Sequence, residues 1–98
     1  MADEISAVLN KREGTHGSFY MNAGMTQSME RILQQGTTYS QWSSEQREAA
    51  HMILQKLSRA ANGNPAHRDT WLDIVGYATL ALESLGVTED GPNNSVRP

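Results

Sequence analysis

The apolar residues between positions 71 and 85 constrain the fold most, because they recur at alternating steps of three and four. This spacing places them on one face of an α-helix. Asp69 precedes the run and is a good N-cap, since its carboxylate complements the positive end of a helix. The sequence therefore predicts a helix from about Asp69, with an apolar face formed by Trp71, Ile74, Ala78, Ala81, Leu82 and Leu85.

A second helix is predicted immediately upstream, beginning after Ser43. Ser43 and Gln46 have the spacing of a capping box, in which each side chain accepts a hydrogen bond from the other residue's backbone N–H. Gly63 is expected to end this helix in the left-handed conformation, and Pro65 cannot continue it. The predicted apolar stripe comprises Ala49, Met52, Ile53, Leu57 and Ala60, with Lys56 among them.

The N-terminal half of the chain predicts two further helices. Residues 3–12 can form a short amphipathic helix, which the segment 14–17 with its two glycines would break. A longer helix is expected over residues 18–35, closed by Gly36, and residues 37–42 then form a linker. The apolar face of the longer helix is formed by Met25, Met29, Ile32 and Leu33.

These patterns together predict an all-α protein, a small antiparallel bundle of three to four helices. We divide the chain into an N-terminal short helix and loop (1–17), a helical domain (18–87) and a disordered tail (88–98) that is polar and contains Gly and Pro. A chain of 98 residues builds only a thin core. A homo-oligomer is therefore expected.

The charge and the cysteine content narrow the possible partners and compartment. The net charge is −3 and the eight Lys and Arg residues are scattered, so a duplex nucleic-acid interface is not expected. No apolar stretch reaches the ~18 residues of a membrane span, and the N-terminus lacks the features of a signal peptide. Because the chain has no Cys, it needs no oxidising compartment. We predict a cytoplasmic protein that does not contact membranes.

Lys56 is the first residue that a plain bundle does not explain, because it lies near the middle of an apolar stripe. A charge in such a position is costly unless it is paired. Two interpretations are open. In the first, Lys56 is structural and pairs with Glu48 or with an acid of the following helix. In the second, Lys56 and Arg59 project into a shared site that binds an anion.

The last helix also contains residues that a plain bundle does not explain. Asp73 and Tyr77 lie beside Gly76 on the face opposite the apolar residues of this helix. A glycine within a helix costs about 1 kcal/mol relative to alanine. Gly76 is either tolerated at the surface or marks a position where another molecule approaches the helix closely. Of the possible molecules, we favour a second subunit over a ligand. His67 and Arg68 precede this helix and could bind an anion at its N-terminus or form a solvated turn.

Two pairs of carboxylates complete the candidate site. Glu45 and Glu48 share a helix face at i, i+3, and Asp69 and Asp73 share one at i, i+4. Each pair lies at the start of its helix, so in an antiparallel pair they meet only through a stagger or another subunit. If they converge, they can bind Mg²⁺ through oxygen ligands. If they stay apart, they cap helix N-termini.

Four segments of the chain form a further pattern: THGSF (15–19), EAAHMILQKLSR (48–59), GNP (63–65) and DTWLDIVGYA (69–78). Together they resemble a family of small phage and prophage proteins. The resemblance covers most of residues 12–83, and the last of the segments is the most specific. A phage protein of this kind would act in the host cytoplasm.

That family is in turn similar to the all-α nucleoside triphosphate pyrophosphohydrolases of the MazG type. The resemblance implies a helical oligomer that binds magnesium through a Glu-x-x-Glu and a Glu-x-x-Asp motif and cleaves between the α- and β-phosphates. Glu45 and Glu48 match the first motif, and Asp73 matches the Asp of the second. Thr70 replaces the Glu of the second motif, with Asp69 one residue away. An incomplete acidic set favours nucleotide binding over full catalysis.

The sequence hypothesis is therefore a phage-encoded, MazG-like nucleotide-binding protein, or a degenerate magnesium-dependent pyrophosphohydrolase. One alternative is a non-catalytic counter-defence protein that sequesters a cyclic nucleotide signal or blocks a host defence protein. Another is a structural module in which the basic residues only form salt bridges. The metal ligands would be Glu45, Glu48, Asp69 and Asp73, and the ligand contacts Lys56, Arg59, His67, Arg68 and Tyr77.

Overall fold

The computed structural model describes residues 2–86, and this part of the chain contains helices and loops but no strand. The predicted all-α class is confirmed. None of these helices is long and apolar enough to cross a membrane. The predicted tail, residues 88–98, lies outside the described residues. The elements are α1 (Ala2–His16), α2 (Phe19–Leu33), a 3₁₀ helix (Tyr39–Gln41), α3 (Ser44–Asn62) and α4 (Arg68–Ser84).

α1 is longer than the sequence predicts, because Gly14 does not interrupt it. A single helical glycine costs only about 1 kcal/mol relative to alanine, which the flanking turns can offset. The helix ends at Gly17, whose φ of 80° lies in the left-handed region. The N–H of Gly17 still donates to the Glu13 carbonyl oxygen at 2.8 Å. The predicted break thus occurs at Gly17 rather than at Gly14.

α2 and α3 begin at side-chain caps. The Ser18 hydroxyl accepts a hydrogen bond from the Met21 N–H at 3.4 Å. At the start of α3, the Gln46 N–H donates to Ser43 Oγ at 3.1 Å and the Ser43 N–H donates to Gln46 Oε1 at 2.8 Å. The predicted capping box is confirmed. These caps satisfy N–H groups that the first helical turn leaves without partners.

Three polar side-chain pairs, which we call the polar ladder, join α2 to α3. Thr26 and Ser58 are buried, with 4% and 0% of their surfaces exposed. The α2 members recur every four residues and therefore lie on one face of that helix. As the residue numbers rise along α2 they fall along α3, so the two helices are antiparallel. The pairs are Asn22–Asn62 at 3.0 Å, Thr26–Ser58 at 2.9 Å and Glu30–His51 at 2.7 Å.

α4 packs against α3 with only part of its apolar arc, which corrects the face predicted from the sequence. Trp71, Ala78 and Leu85 are exposed, although the pattern places them on the buried stripe. The apolar arc of α4 is wider than a single neighbouring helix can cover, so one flank meets α3 and the other faces outward. The flank with least exposure comprises Thr70, Ile74, Tyr77 and Ala81.

The apolar core is thin, as the chain length predicts. Among the described residues only one hydrophobic side chain, Ala49, is buried, whereas twelve large hydrophobic side chains are exposed. A fold that buries so little apolar surface gains little from the hydrophobic effect. The exposed residues group on α1 (Ile5, Val8, Leu9), at the start of α2 (Phe19, Tyr20, Met21) and on α4 (Trp71, Leu72, Val75), among others.

Candidate functional site

The linker between α1 and α2 crosses the C-terminal end of α3 at two glycines. A Cβ atom at Gly17 would collide with the Asn62 carbonyl, and one at Gly63 would collide with the Thr15 carbonyl. The Asn64 N–H donates to that Thr15 carbonyl oxygen at 2.7 Å. Two backbone segments therefore meet at a separation that only glycine permits.

The conformation of Gly63 corrects the sequence prediction. Its φ and ψ are −128° and −137°, outside the left-handed region, although its N–H does end α3 by donating to the Arg59 carbonyl oxygen at 2.8 Å. Glycine is required at this position because the backbone of Thr15 and His16 occupies the space that a side chain needs. The requirement comes from a tertiary contact rather than from the helix end.

Asn22 fixes the end of α1 against the polar ladder. Its Nδ2 donates to the His16 carbonyl oxygen at 2.7 Å, and its Oδ1 accepts from Asn62 Nδ2 at 3.0 Å. Asn22 is only 7% exposed, so these hydrogen bonds lie out of bulk water. Buried polar groups need such partners. His16, the last residue of α1, is consequently held against the C-terminal end of α3.

His16 stands in the centre of a group of basic side chains, which we call the basic cluster. Burial lowers the pKa of His16, and the neighbouring positive groups lower it further, first Arg59, then His67, Lys56 and Arg12. The His16 ring meets the His67 ring edge to face, with centroids 5.4 Å apart. Its Nδ1 is buried without a hydrogen-bond partner among the described residues. His16 is therefore neutral at neutral pH, and the positive charge around it belongs to its neighbours.

A cleft of about 810 Å³ opens beside the basic cluster, between α1, α2 and α3. Arg12 and Arg59 line it together with His16 and His51, and Glu13 is the one carboxylate among the described residues that line it. The formal charge of this lining is positive, although the chain as a whole carries −3. A cleft of one sign attracts ligands of the opposite sign.

The other edge of the cleft is aromatic. Phe19 and Tyr20, at the start of α2, line it and are 87% and 83% exposed. Leu9 and Ala23 extend this apolar edge. Large exposed aromatic side chains beside a charged cavity are unusual in a monomer surface and typically contact a ligand or a partner.

Lys56 forms an ion pair with Asp73 of α4, with Nζ and Oδ2 separated by 2.9 Å. The Lys56 side chain is 13% exposed and that of Asp73 47%. A hydrogen bond from Lys56, followed by its charge, lowers the pKa of Asp73. Of the two interpretations of Lys56, the pairing with an acid of the following helix is the one observed. Asp73 therefore faces α3 rather than the opposite side of α4 as predicted.

The four carboxylates of the predicted magnesium site do not come together in one protomer. The described part of the chain contains no group of three or more Asp, Glu or His side chains that could share a metal ion. Glu45, Glu48 and Asp69 are exposed, and Asp73 is bound to Lys56. The residues present within one protomer thus do not fit the metal set that the resemblance implies.

The remaining predicted ligand residues lie outside the cleft. His67 occupies the N-cap position of α4, which the sequence assigned to Asp69, and its side chain makes no capping hydrogen bond. Arg68 instead borders a shallow depression on the outer side of α4, and Tyr77 is half-buried on that helix. Of the five predicted ligand contacts, Arg59 is the one that lines the cleft.

Sequence reasoning missed Arg12, His16 and His51 as members of one site. Arg12 and His16 lie on α1 and His51 on α3, and only the packing of these helices brings the three to one cleft. A partial signal was present in the segment THGSF (15–19), which contains His16 and the glycine of the backbone crossing. His51 carried no signal, because a single histidine within a helix has many ordinary roles.

The fold and the cleft define a small all-helical protein with a basic, partly aromatic cavity. A family model described as a domain of unknown function, DUF6378, matches residues 2–85. The chain therefore belongs to the DUF6378 family. No curated protein and no solved structure matches it.

Proposed function

We propose that this protein binds a nucleotide in the cleft between α1, α2 and α3. The observation that carries the proposal is that Arg12 and Arg59 reach the same cavity from two helices, while exposed aromatic side chains form its other edge. A nucleotide has the same division, with an anionic phosphate chain at one end and a flat base at the other.

The basic end suits phosphate. Arginine presents a planar fork of N–H donors that matches phosphate oxygens, and hydrogen bonds to charged groups are roughly twice as strong as neutral ones. Because His16 is neutral, Arg12 and Arg59 supply the positive charge. Lys56 contributes a longer-range field, since Asp73 already holds its ammonium group.

The aromatic end suits a nucleobase. Phe19 and Tyr20 offer ring faces that solvent already reaches, and stacking of one base on an aromatic side chain is worth about 1–3 kcal/mol. Such stacking tolerates different bases. The geometry therefore favours recognition of the nucleotide class over recognition of one base.

The resemblance to small phage proteins, and through them to MazG-type pyrophosphohydrolases, points to the same ligand class. It would make this protein a phage-encoded relative acting in the host cytoplasm. The acidic motif of those enzymes is incomplete here, with Thr70 at the position of a Glu. The proposal is therefore a binding function, to which magnesium bound by carboxylates of one protomer is not essential.

Arg59→Ala is expected to weaken nucleotide binding by about 10- to 100-fold, the loss of one charge-assisted contact of roughly 1.5–3 kcal/mol. Isothermal titration with the four ribonucleoside triphosphates, their deoxy counterparts and cyclic mononucleotides measures the change. The matched control is Arg31→Ala, since Arg31 is exposed on α2 and, within residues 2–86, its side chain bonds only Ser28. The proposal fails if the wild-type protein binds none of these nucleotides, or if both variants bind equally.

We also propose that the protein is a homo-oligomer that assembles through the outer face of α4. Trp71, Leu72 and Val75 form an exposed apolar patch that borders a shallow depression. At the adjacent Gly76 an added Cβ would meet nothing within 4 Å. A second α4 therefore has room to approach closely, which matches the interpretation of Gly76 from the sequence.

The occupant we infer for this face is a second copy of the chain. Among residues 2–86 a single hydrophobic side chain is buried, which is a small core for a domain of this size, so we infer that association supplies further burial. α4 has 17 residues and is about 25 Å long. That length allows an interface near the standard size of roughly 800 Å² per partner.

Val75→Glu is expected to shift the protein to a monomer at micromolar concentration, because it places a charge in the middle of an apolar contact. Analytical ultracentrifugation measures the change. Leu80→Glu is the matched control, since Leu80 is as exposed as Val75, 59% against 62%, but lies about 140° around the helix. A wild-type monomer, or equal dissociation of both variants, would contradict this surface.

A further inference from the structure

The third pair of the polar ladder, Glu30 and His51, has the arrangement of side chains that a proton acceptor needs. His51 Nδ1 lies 2.7 Å from Glu30 Oε2, and their side chains are 36% and 26% exposed. An ionised carboxylate can only accept hydrogen bonds, so Nδ1 must be the donor. The bond therefore fixes the tautomer in which Nε2 carries a free lone pair.

The free nitrogen of His51 is reachable. Nε2 has no hydrogen-bond partner among the described residues, and it is not one of their buried polar atoms. His16 differs in this respect, because its Nδ1 is buried. His51 also lines the cleft. A ligand or a water molecule in the cleft can therefore meet Nε2 without a change in the fold.

His51 lies on the same ridge of α3 as the arginine that is proposed to bind phosphate. His51, Gln55 and Arg59 all line the cleft and recur every four residues. Each step is about 6 Å along the helix. A ligand held by Arg59 and extending along this ridge therefore brings a second part of its length toward His51.

We propose that Glu30 and His51 form a general-base pair that activates water for hydrolysis of a phosphate ester or anhydride bound in the cleft. This inference rests on the proposed nucleotide binding and adds a reaction to it. His51 would be the catalytic residue, since it meets the water, and Glu30 would be a positioning residue that holds the ring and stabilises its charged form.

The step balances with water as the only co-reactant. The water oxygen forms a bond to phosphorus while one of its protons moves to Nε2 of His51. The bond from phosphorus to the leaving oxygen breaks, and that oxygen keeps the electron pair. His51 then returns its proton to the leaving oxygen or to solvent. Arg59 and Arg12 would stabilise the negative charge on the phosphoryl oxygens.

A purely structural role is the alternative, since the other two ladder pairs contain no titratable side chain and join α2 to α3. The two roles differ in what they affect. A structural pair changes stability alone, whereas a general base changes the rate and its pH dependence while ligand affinity persists.

The test measures the release of orthophosphate and pyrophosphate from about eight substrates, the common ribo- and deoxyribonucleoside triphosphates, over roughly pH 5 to 9. We expect hydrolysis of at least one of them. His51→Gln is expected to lower that rate by about 100-fold or more, with the dissociation constant of the nucleotide and the unfolding temperature nearly unchanged.

Two further variants separate catalysis from structure. Glu30→Gln should lower the rate by about tenfold, because the imidazolium that forms during the step loses its carboxylate partner, whereas Glu4→Gln on α1 should leave the rate unchanged. Added imidazole should restore part of the rate of His51→Ala, which a structural defect would not allow. The inference is overturned if a nucleotide binds but none is hydrolysed, or if His51→Gln hydrolyses at the wild-type rate. If no nucleotide binds, the proposed function fails with it.

Discussion

Gly17→Ala is expected to destabilise the protein by about 3 kcal/mol or more, the sum of a left-handed backbone and a collision. Gly17 has a φ of 80°, and an added Cβ would overlap the Asn62 carbonyl, whose backbone cannot move as a flexible side chain would. Typical domains are stable by only 5–15 kcal/mol, and this one has a thin core. The variant should therefore unfold at a markedly lower denaturant concentration, measured by circular dichroism.

Gly24→Ala is the matched control for this prediction. Gly24 lies within α2, and a Cβ there would meet nothing within 4 Å. Alanine is the better helix former, so this change should stabilise the protein by up to about 1 kcal/mol. Gly63→Ala should resemble Gly17→Ala, since the same backbone crossing excludes its Cβ. Equal stability of the Gly17 and Gly24 variants would show that the two segments do not cross as described.

Ser58→Ala is expected to cost about 1–3 kcal/mol, much more than the loss of a surface hydroxyl. Ser58 is fully buried, donates to the Leu54 carbonyl oxygen at 3.0 Å and lies 2.9 Å from the Thr26 hydroxyl oxygen. Because its one proton goes to Leu54, Ser58 accepts the hydrogen bond from Thr26. Removing Ser58 leaves the buried Thr26 hydroxyl without an acceptor.

A double-mutant cycle with Thr26→Val tests this assignment. Valine has nearly the shape of threonine but no donor, and Ser58 keeps its bond to Leu54 in that variant. Once Thr26 is valine, Ser58→Ala should cost distinctly less than it does in the wild type. Urea unfolding of the four proteins gives the coupling energy. Additive effects would mean that Thr26 and Ser58 do not share a hydrogen bond.

The helices themselves could be predicted, because their signals are local. Ser43 and Gln46 cap α3 through contacts within one turn, so their spacing alone was sufficient. The position at which α3 ends was also predicted, although the left-handed conformation expected at Gly63 is not observed. Predictions that depended on a single local rule, such as a first helix ending at residue 12 or an N-cap at Asp69, were wrong in detail. Neighbouring turns and loops outweigh differences of about 1 kcal/mol.

The candidate site was predicted only at Arg59. A pattern in one helix shows which residues share a face, but it does not show which neighbour that face will meet. Asp73 appeared to lie opposite the apolar residues of α4, yet it pairs with Lys56 because α3 covers the other flank of the arc. The cleft could not be predicted from the sequence for the same reason, because its two arginines lie on different helices, α1 and α3.

The sequence alone was sufficient to predict that the chain is helical, that α3 begins at a capping box after Ser43, and that the core is small. These properties follow from spacing, capping and length, which act within a few residues or on composition alone. The packing of the helices, in contrast, brings the backbone segments of Gly17 and Gly63 together, joins α2 to α3 by polar pairs and places Arg12, His16 and Arg59 around one cleft. Those features depend on the register between helices, which is set by packing between residues far apart in the chain.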